Sequence, residues 1–126
     1  MLFAFSVIVC GSNLVAAEKA MVENMSYEEY LIKSLEDENI GHRESAARLL
    51  GEQNSLAAVQ SLVKMLKSEK DFRVRIVAAV SINNLGDSTV VSELQQIWKN
   101  ERNKTAKQVL AGVIANLKTQ TLTSSN

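Results

Sequence analysis

His42, the one histidine of the chain, stands directly before Arg43 and Glu44 within the stretch Asn39–Gly51. Imidazole, guanidinium and carboxylate together are the functional groups of general acid–base chemistry. That reading needs groups that converge on one reacting atom, or further ligands for a metal, and the only cysteine is Cys10, near the start. Glu36, Asp37 and Glu38 are the second candidate: clustered carboxylates can exchange protons or bind calcium. They fall between two apolar-periodic segments and read as a solvated turn. Arg43, Arg75 and Lys107 recur at equal spacing and are the third candidate, a cationic stripe for phosphate or carboxylate. No glycine-rich phosphate loop and no Gly-x-Ser-x-Gly elbow is present. The expectation is a non-enzymatic protein with no catalytic residues, no cofactor and no metal.

The elements that carry these residues follow from composition and periodicity. A chain of 126 residues allows one domain with a modest core. Lys plus Arg and Asp plus Glu number 14 each, so no net field draws the protein to nucleic acid or to an anionic membrane. Proline is absent, glycines number five and period-two alternation is missing, which together favour helix throughout. The opening MLFAFSVIVC is apolar, and Val15-Ala16-Ala17 fits a small-x-small cleavage rule. Residues 1–17 therefore read as a secretory signal, residues 18–25 as a linker, and the protein as exported, periplasmic or secreted. The apolar run is shorter than the roughly 20 residues of a membrane span, so no stable insertion is expected once the signal is removed. The run lacks a preceding Lys or Arg, which an upstream start would supply. The alternatives are an uncleaved anchor, a lipidated Cys10 or an ordinary buried helix.

The remainder is self-similar with a period of 32 residues. Asn39, Asp71 and Asn103 coincide; so do Arg43, Arg75 and Lys107; Ala47, Ala79 and Ala111; and Leu50, Ile82 and Ile114. Asp37, Glu69 and Glu101 coincide two residues before the first of these columns. Asn and Asp are strong N-caps, so the 39/71/103 column marks three helix starts. Small alanines let neighbouring helices approach closely, so enlarging one is expected to cost about 1–3 kcal/mol. A further helix precedes each start. Ser26 and Glu29 form a capping box, Leu31 and Leu35 match Leu62 and Leu66 and then Leu94 and Trp98, and Asp87 or Ser88 caps the third of these helices. The domain spans 26–118 in units 26–54, 55–86 and 87–118, and residues 119–126 read as a frayed, flexible tail.

This pattern resembles the HEAT repeat, in particular the short HEAT-like repeats of bacterial proteins. The resemblance rests on an acidic residue in the turn, Asp or Asn before the second helix, then Val-Arg, two alanines and Leu-Gly. The second copy carries Asp71, Val74-Arg75, Ala78-Ala79 and Leu85-Gly86; the first carries Asn39, Arg43, Ala46-Ala47 and Leu50-Gly51. The third departs most, with Ala106, Lys107 and a Gly112 that interrupts the helical pattern. The resemblance implies an all-α fold, an α-solenoid (right-handed superhelix) of three antiparallel helix pairs whose second helices line a concave face. His42 then occupies the slot of Val74 and Ala106 and is expected to be partly buried with one local partner. The basic column and the acidic column recur in phase, so they are expected to alternate as a ladder of exposed pairs, within repeats or across them, worth about 0–1 kcal/mol each.

One irregularity points to function. One and five residues after the column arginine, the first copy has Glu44 and Arg48, an expected i,i+4 ion pair, and the third has Gln108 and Gly112. The second has Ile76 and Val80, with Val77 beside them and Asn83-Asn84 one turn on. An apolar patch where flanking copies are polar is a candidate contact surface for a protein partner, rimmed by Glu44, Arg48, Arg73 and Asn84. Enclosure by neighbouring repeats is the other explanation of the same residues. Repeat stacks commonly bind proteins. The competing roles are a self-associating structural unit, with Trp98 or Tyr27 and Tyr30 at the contact, and an accessory to an enzyme such as a bilin-lyase-like protein.

Overall fold

The structure is a computed structural model that describes residues 16, 19–20 and 23–124. The expected signal segment 1–17, with Cys10 and the cleavage after Ala17, lies outside the described residues except for Ala16, which is helical. Two compact units are distinguished, Met1–Tyr30 and Leu31–Asn126. In the first, Lys19, Ala20 and Glu23 are helical where a linker was expected. The Ser26 N–H donates to Glu29 Oε2 at 2.8 Å and the Glu29 N–H donates to Ser26 Oγ at 3.2 Å. This is the reciprocal capping box read from the sequence, and it opens α1 (Tyr27–Ser34). The exposed rings of Tyr27 and Tyr30 stack on each other, 6.4 Å between centroids.

The second unit takes in the end of α1 and then α2 (Ile40–Glu52), α3 (Val59–Ser68), α4 (Phe72–Leu85), α5 (Val91–Asn100) and α6 (Lys104–Ser124). Helix α3 packs against α4 and α5 against α6, and α2, α4 and α6 pack side by side, giving an α-solenoid-like fold; no strand occurs among the described residues. The N-cap column behaves as its chemistry dictates. Asn39 Oδ1 accepts from the N–H groups of Gly41 and His42, Asp71 Oδ1 from that of Arg73 at 2.8 Å, and Asn103 Oδ1 from that of Ala106 at 3.0 Å. The first helices of the second and third pairs are entered through single 3-10 turns, Leu56–Ala58 and Ser88–Val90. Asp87, rather than Ser88, caps the latter, accepting from the Thr89 N–H at 2.9 Å.

A continuous core runs from Leu31 and Leu35 through Leu50, Leu62, Leu66, Ile82 and Leu94 to Leu117. The apolar columns of the sequence are its layers. Ala47 and Ala79 are enclosed between copies, whereas Ala111 in the same column is exposed. Trp98 is only half-buried in the layer of Leu35 and Leu66, and its ring lies 4.9 Å from Lys107 Nζ.

The structure corrects three readings of the glycines and the tail. Gly51 and Gly86 are not equivalent. Gly86 (φ 68°) ends α4 in the left-handed region, and its counterpart one period earlier is Asn54 (φ 54°). Both residue types tolerate that conformation. Gly51 instead lies inside α2 at the closest helix crossing: a Cβ there would come within 2.8 Å of Ser81 Cα. Gly112 does not interrupt the third copy's second helix, since α6 passes through it unbroken. Nor does α6 end at 118; it continues to Ser124 because nothing there breaks it. The hydroxyls of Thr119 and Thr121 turn back onto the carbonyls of Ala115 and Leu117 instead of competing for the helix backbone.

Two substitutions separate these glycine environments. Gly51→Ala should lower stability by about 1–3 kcal/mol in urea denaturation, since backbone as well as side chain must give way. Adding Ser81→Gly should not restore it fully, because Ser81 Cα itself is in the way. Gly112→Ala, with nothing within 4 Å of the added Cβ, should raise stability by roughly 0.5–1 kcal/mol.

Candidate functional site

The charged columns meet between copies, not within them. Arg43 Nε donates to Glu69 Oε2 at 2.7 Å and its Nη2 to Oε1 at 3.1 Å; Arg75 repeats the arrangement on Glu101 at 2.7 and 2.8 Å. The remaining guanidinium nitrogen binds the turn of its own copy. Arg43 Nη1 donates to the carbonyls of Asp37 and Glu38, and Arg75 Nη1 to those of Glu69 and Lys70. Each acid also accepts the N–H of the following N-cap: Glu69 Oε1 from Asp71 at 3.0 Å, Glu101 Oε1 from Asn103 at 2.8 Å. The sequence suggested exposed pairs, but the Glu69 and Glu101 side chains are only 3% accessible. They lie under the neighbouring copy, which sequence spacing does not reveal. Hydrogen bonds from Arg43 and Arg75 hold both carboxyls below their ordinary value and hold both guanidinium groups above theirs.

The candidates for chemistry are drawn into this scaffold. His42 is not partly buried: its side chain is 68% exposed, with Nδ1 3.4 Å from Asp37 Oδ1. Val74 and Ala106 fill the same slot and are buried, and theirs are the two copies that follow another copy. Glu36 pairs with Lys64 across copies, Asp37 Oδ1 accepts the Asn39 N–H at 2.7 Å, and Glu38 supplies a carbonyl to Arg43. The Glu36 and Asp37 carboxylates thus serve different partners, and Glu38 contributes through its backbone. A groove of about 680 Å³ is lined by Ile32, Met65, Glu36, Lys64, Arg43 and Glu69 among others, and these four ionic groups are paired with one another. Among the described residues no group of three or more His, Cys, Asp or Glu is placed to hold a metal ion.

The α4 face is the remaining candidate. Val80 is 43% exposed; Ile76 and Val77 are half-buried, Val77 against the core. Phe72, also exposed, precedes Ile76 by four residues and extends the apolar line to Phe72, Ile76 and Val80. Sequence reading missed it by starting at the arginine column; carrying the i,i+4 spacing one step back finds it. The rim differs from expectation. Arg48 pairs with Glu52 at 3.0 Å instead of Glu44, whose charge acts on Arg73 of the next copy. Arg73 itself grips Asp71 at 2.7 Å and, with its backbone N–H, brings that carboxyl down to about 2. Asn84 is exposed, whereas Asn83 accepts from Asn116 Nδ2 at 2.7 Å and joins α4 to α6.

Helix pairs stacked in register through repeated caps and ion pairs define an α-solenoid repeat protein. The family model described as HEAT repeats matches residues 28–115, and the chain belongs to the HEAT-repeat family. No curated protein matches the chain. HEAT repeats are generally protein-interaction scaffolds and are typically non-enzymatic. No described helix is long and apolar enough to cross a membrane.

The ladder predicts unequal costs for acidic substitutions. Glu101→Ala should destabilise by roughly 3 kcal/mol, since it strips the part-buried Arg75 guanidinium and an N-cap N–H of their acceptor. Glu36→Ala, at the exposed pair, should change stability by less than about 1 kcal/mol in the same denaturation series. The acid response carries a sign as well. Glu69 and Glu101 titrate below the ordinary 4.5 in the folded state, so their contribution is complete above that pH and is lost as pH falls through the lower folded values. The stability gap between wild type and Glu69→Gln/Glu101→Gln should therefore narrow below about pH 4.5 and stay constant between pH 6 and 8.

Proposed function

We propose that this protein is an exported, non-enzymatic interaction module that docks a protein partner on the exposed side of its second helices, centred on α4. The observation that carries the reading is the line Phe72, Ile76 and Val80. In the same columns α2 presents Ile40, Glu44 and Arg48, and α6 presents Lys104, Gln108 and Gly112. Only the central copy is apolar at all three. The open space beside Gly112 leaves room for a partner side chain next to this line. The rim charges Arg48 and Arg73 are already paired to Glu52 and Asp71, which favours apolar docking over charge steering. Export rests on the apolar opening segment and the small residues at Val15-Ala16-Ala17.

The test is cross-linked capture from the cell envelope with wild type and with Ile76→Asp/Val80→Asp, after circular dichroism shows that both fold. A partner captured by wild type should fall at least about tenfold with the variant, as expected when the centre of an interface receives two buried charges. Capture that is indifferent to these charges would refute the α4 surface. Should Ile76→Asp unfold the protein, Phe72→Asp/Val80→Asp at the two more exposed positions gives the same discrimination.

A further inference from the structure

The chain forms one junction twice, between the first and second copies and between the second and third, and the matching columns of the third and first copies are exposed. The donating half is the column of Arg43 and Arg75 with the enclosed alanines Ala47 and Ala79. The receiving half is the column of Glu69 and Glu101 with the buried Ser81 and Val113. Gly51 against Ser81 and Asn83 against Asn116 mark how closely these halves meet.

In the third copy the donating half stands open. Lys107 occupies the arginine column, and Ala111 and Ala115 are exposed where Ala47 and Gly51 are covered. Leu122, seven residues beyond Ala115 and so on the same side of α6, is 72% exposed. In the first copy the receiving half stands open. Asp37 occupies the acidic column, 39% exposed, where its Oδ1 accepts the Asn39 N–H and lies 3.4 Å from His42 Nδ1. Ser45 and His42 are exposed in columns that Val77, Val109, Val74 and Ala106 fill in the covered copies. A cation in register at one end and a carboxylate in register at the other are complementary.

We propose that a second copy of this chain stacks head to tail on the first, with Lys107 of one molecule reaching Asp37 of the next and continuing the ladder across the boundary. A heterologous contact of this kind propagates instead of closing at two subunits. Lys for Arg and Asp for Glu give up the two-pronged geometry of the internal rungs, so the contact is weaker than the internal ones and depends on concentration and salt.

The test is a charge exchange on the full chain, read by sedimentation equilibrium. Wild type should show an average mass that climbs past the dimer with concentration and falls with added salt. Lys107→Glu places acid against Asp37, and Asp37→Lys places base against Lys107, so each variant alone should remain at 13.9 kDa. Mixed together they should associate, because every junction in the mixture then pairs opposite charges. A wild type that stays monomeric, a mass that levels off at the dimer, or single variants that associate as wild type does would each overturn the proposal. If a charge variant fails to fold, Ala111→Trp decides. It enlarges an exposed residue, so it should fold normally and stay monomeric, and association at the wild-type level would overturn the proposal.

Discussion

Each of two carboxylates, Glu69 and Glu101, performs two tasks with the same pair of oxygens. One oxygen accepts from the backbone of its own turn, and both accept from the arginine of the copy before. The shape of the turn and the stacking of the copies are therefore one geometric requirement. If the turn opens, the carboxylate leaves the guanidinium; if the copies slip by a turn of helix, the arginine loses its acceptor and the two carbonyls that hold it. A buried ion pair is weak as a source of net stability because desolvation offsets much of the attraction. It is effective at choosing one register among several that an apolar interface of Leu, Ile and Ala would accept.

That division of labour frees the outward side of the second helices. The inward columns carry packing, the turn columns carry register, and the outward columns of α2, α4 and α6 differ without consequence for the stack. It is there that the central copy departs from its neighbours, with the continuous apolar line Phe72, Ile76 and Val80 where α2 has only Ile40 followed by Glu44 and Arg48, and α6 has Lys104, Gln108 and Gly112. The charges around this line are satisfied locally, so an apolar partner surface meets few unpaired groups. The same logic accounts for the ends of the array, where columns that are enclosed in the interior face solvent.

The sequence legibly marked the caps, the apolar layers and the phase of the charges, because each depends on local chemistry repeated at a fixed interval. Asn39, Asp71 and Asn103 cap helices for reasons contained within four residues of each. The misreadings have two origins. Column position alone implies burial for His42, the preceding leucine equates Gly51 with Gly86, glycine propensity implies a break at Gly112, and i,i+4 spacing offers Arg48 to Glu44. For His42 and Gly51 the environment is set by a neighbouring copy, whereas Gly112 simply continues its helix and Arg48 finds Glu52 one turn on in its own.

By itself the sequence determined that the chain is helical, that it repeats, where most of the helices begin and which side chains share a column. These follow from capping, propensity and periodicity, which act over one or two turns. Only the tertiary structure decided that the Arg–Glu pairs cross between copies and are buried, that Gly51 is needed for a close crossing with Ser81, and that Ala111 is open while Ala47 and Ala79 are sealed. A column states that residues are equivalent. It does not state what lies against them, since that depends on whether another copy stands on each side, a fact of three-dimensional stacking that no local spacing encodes.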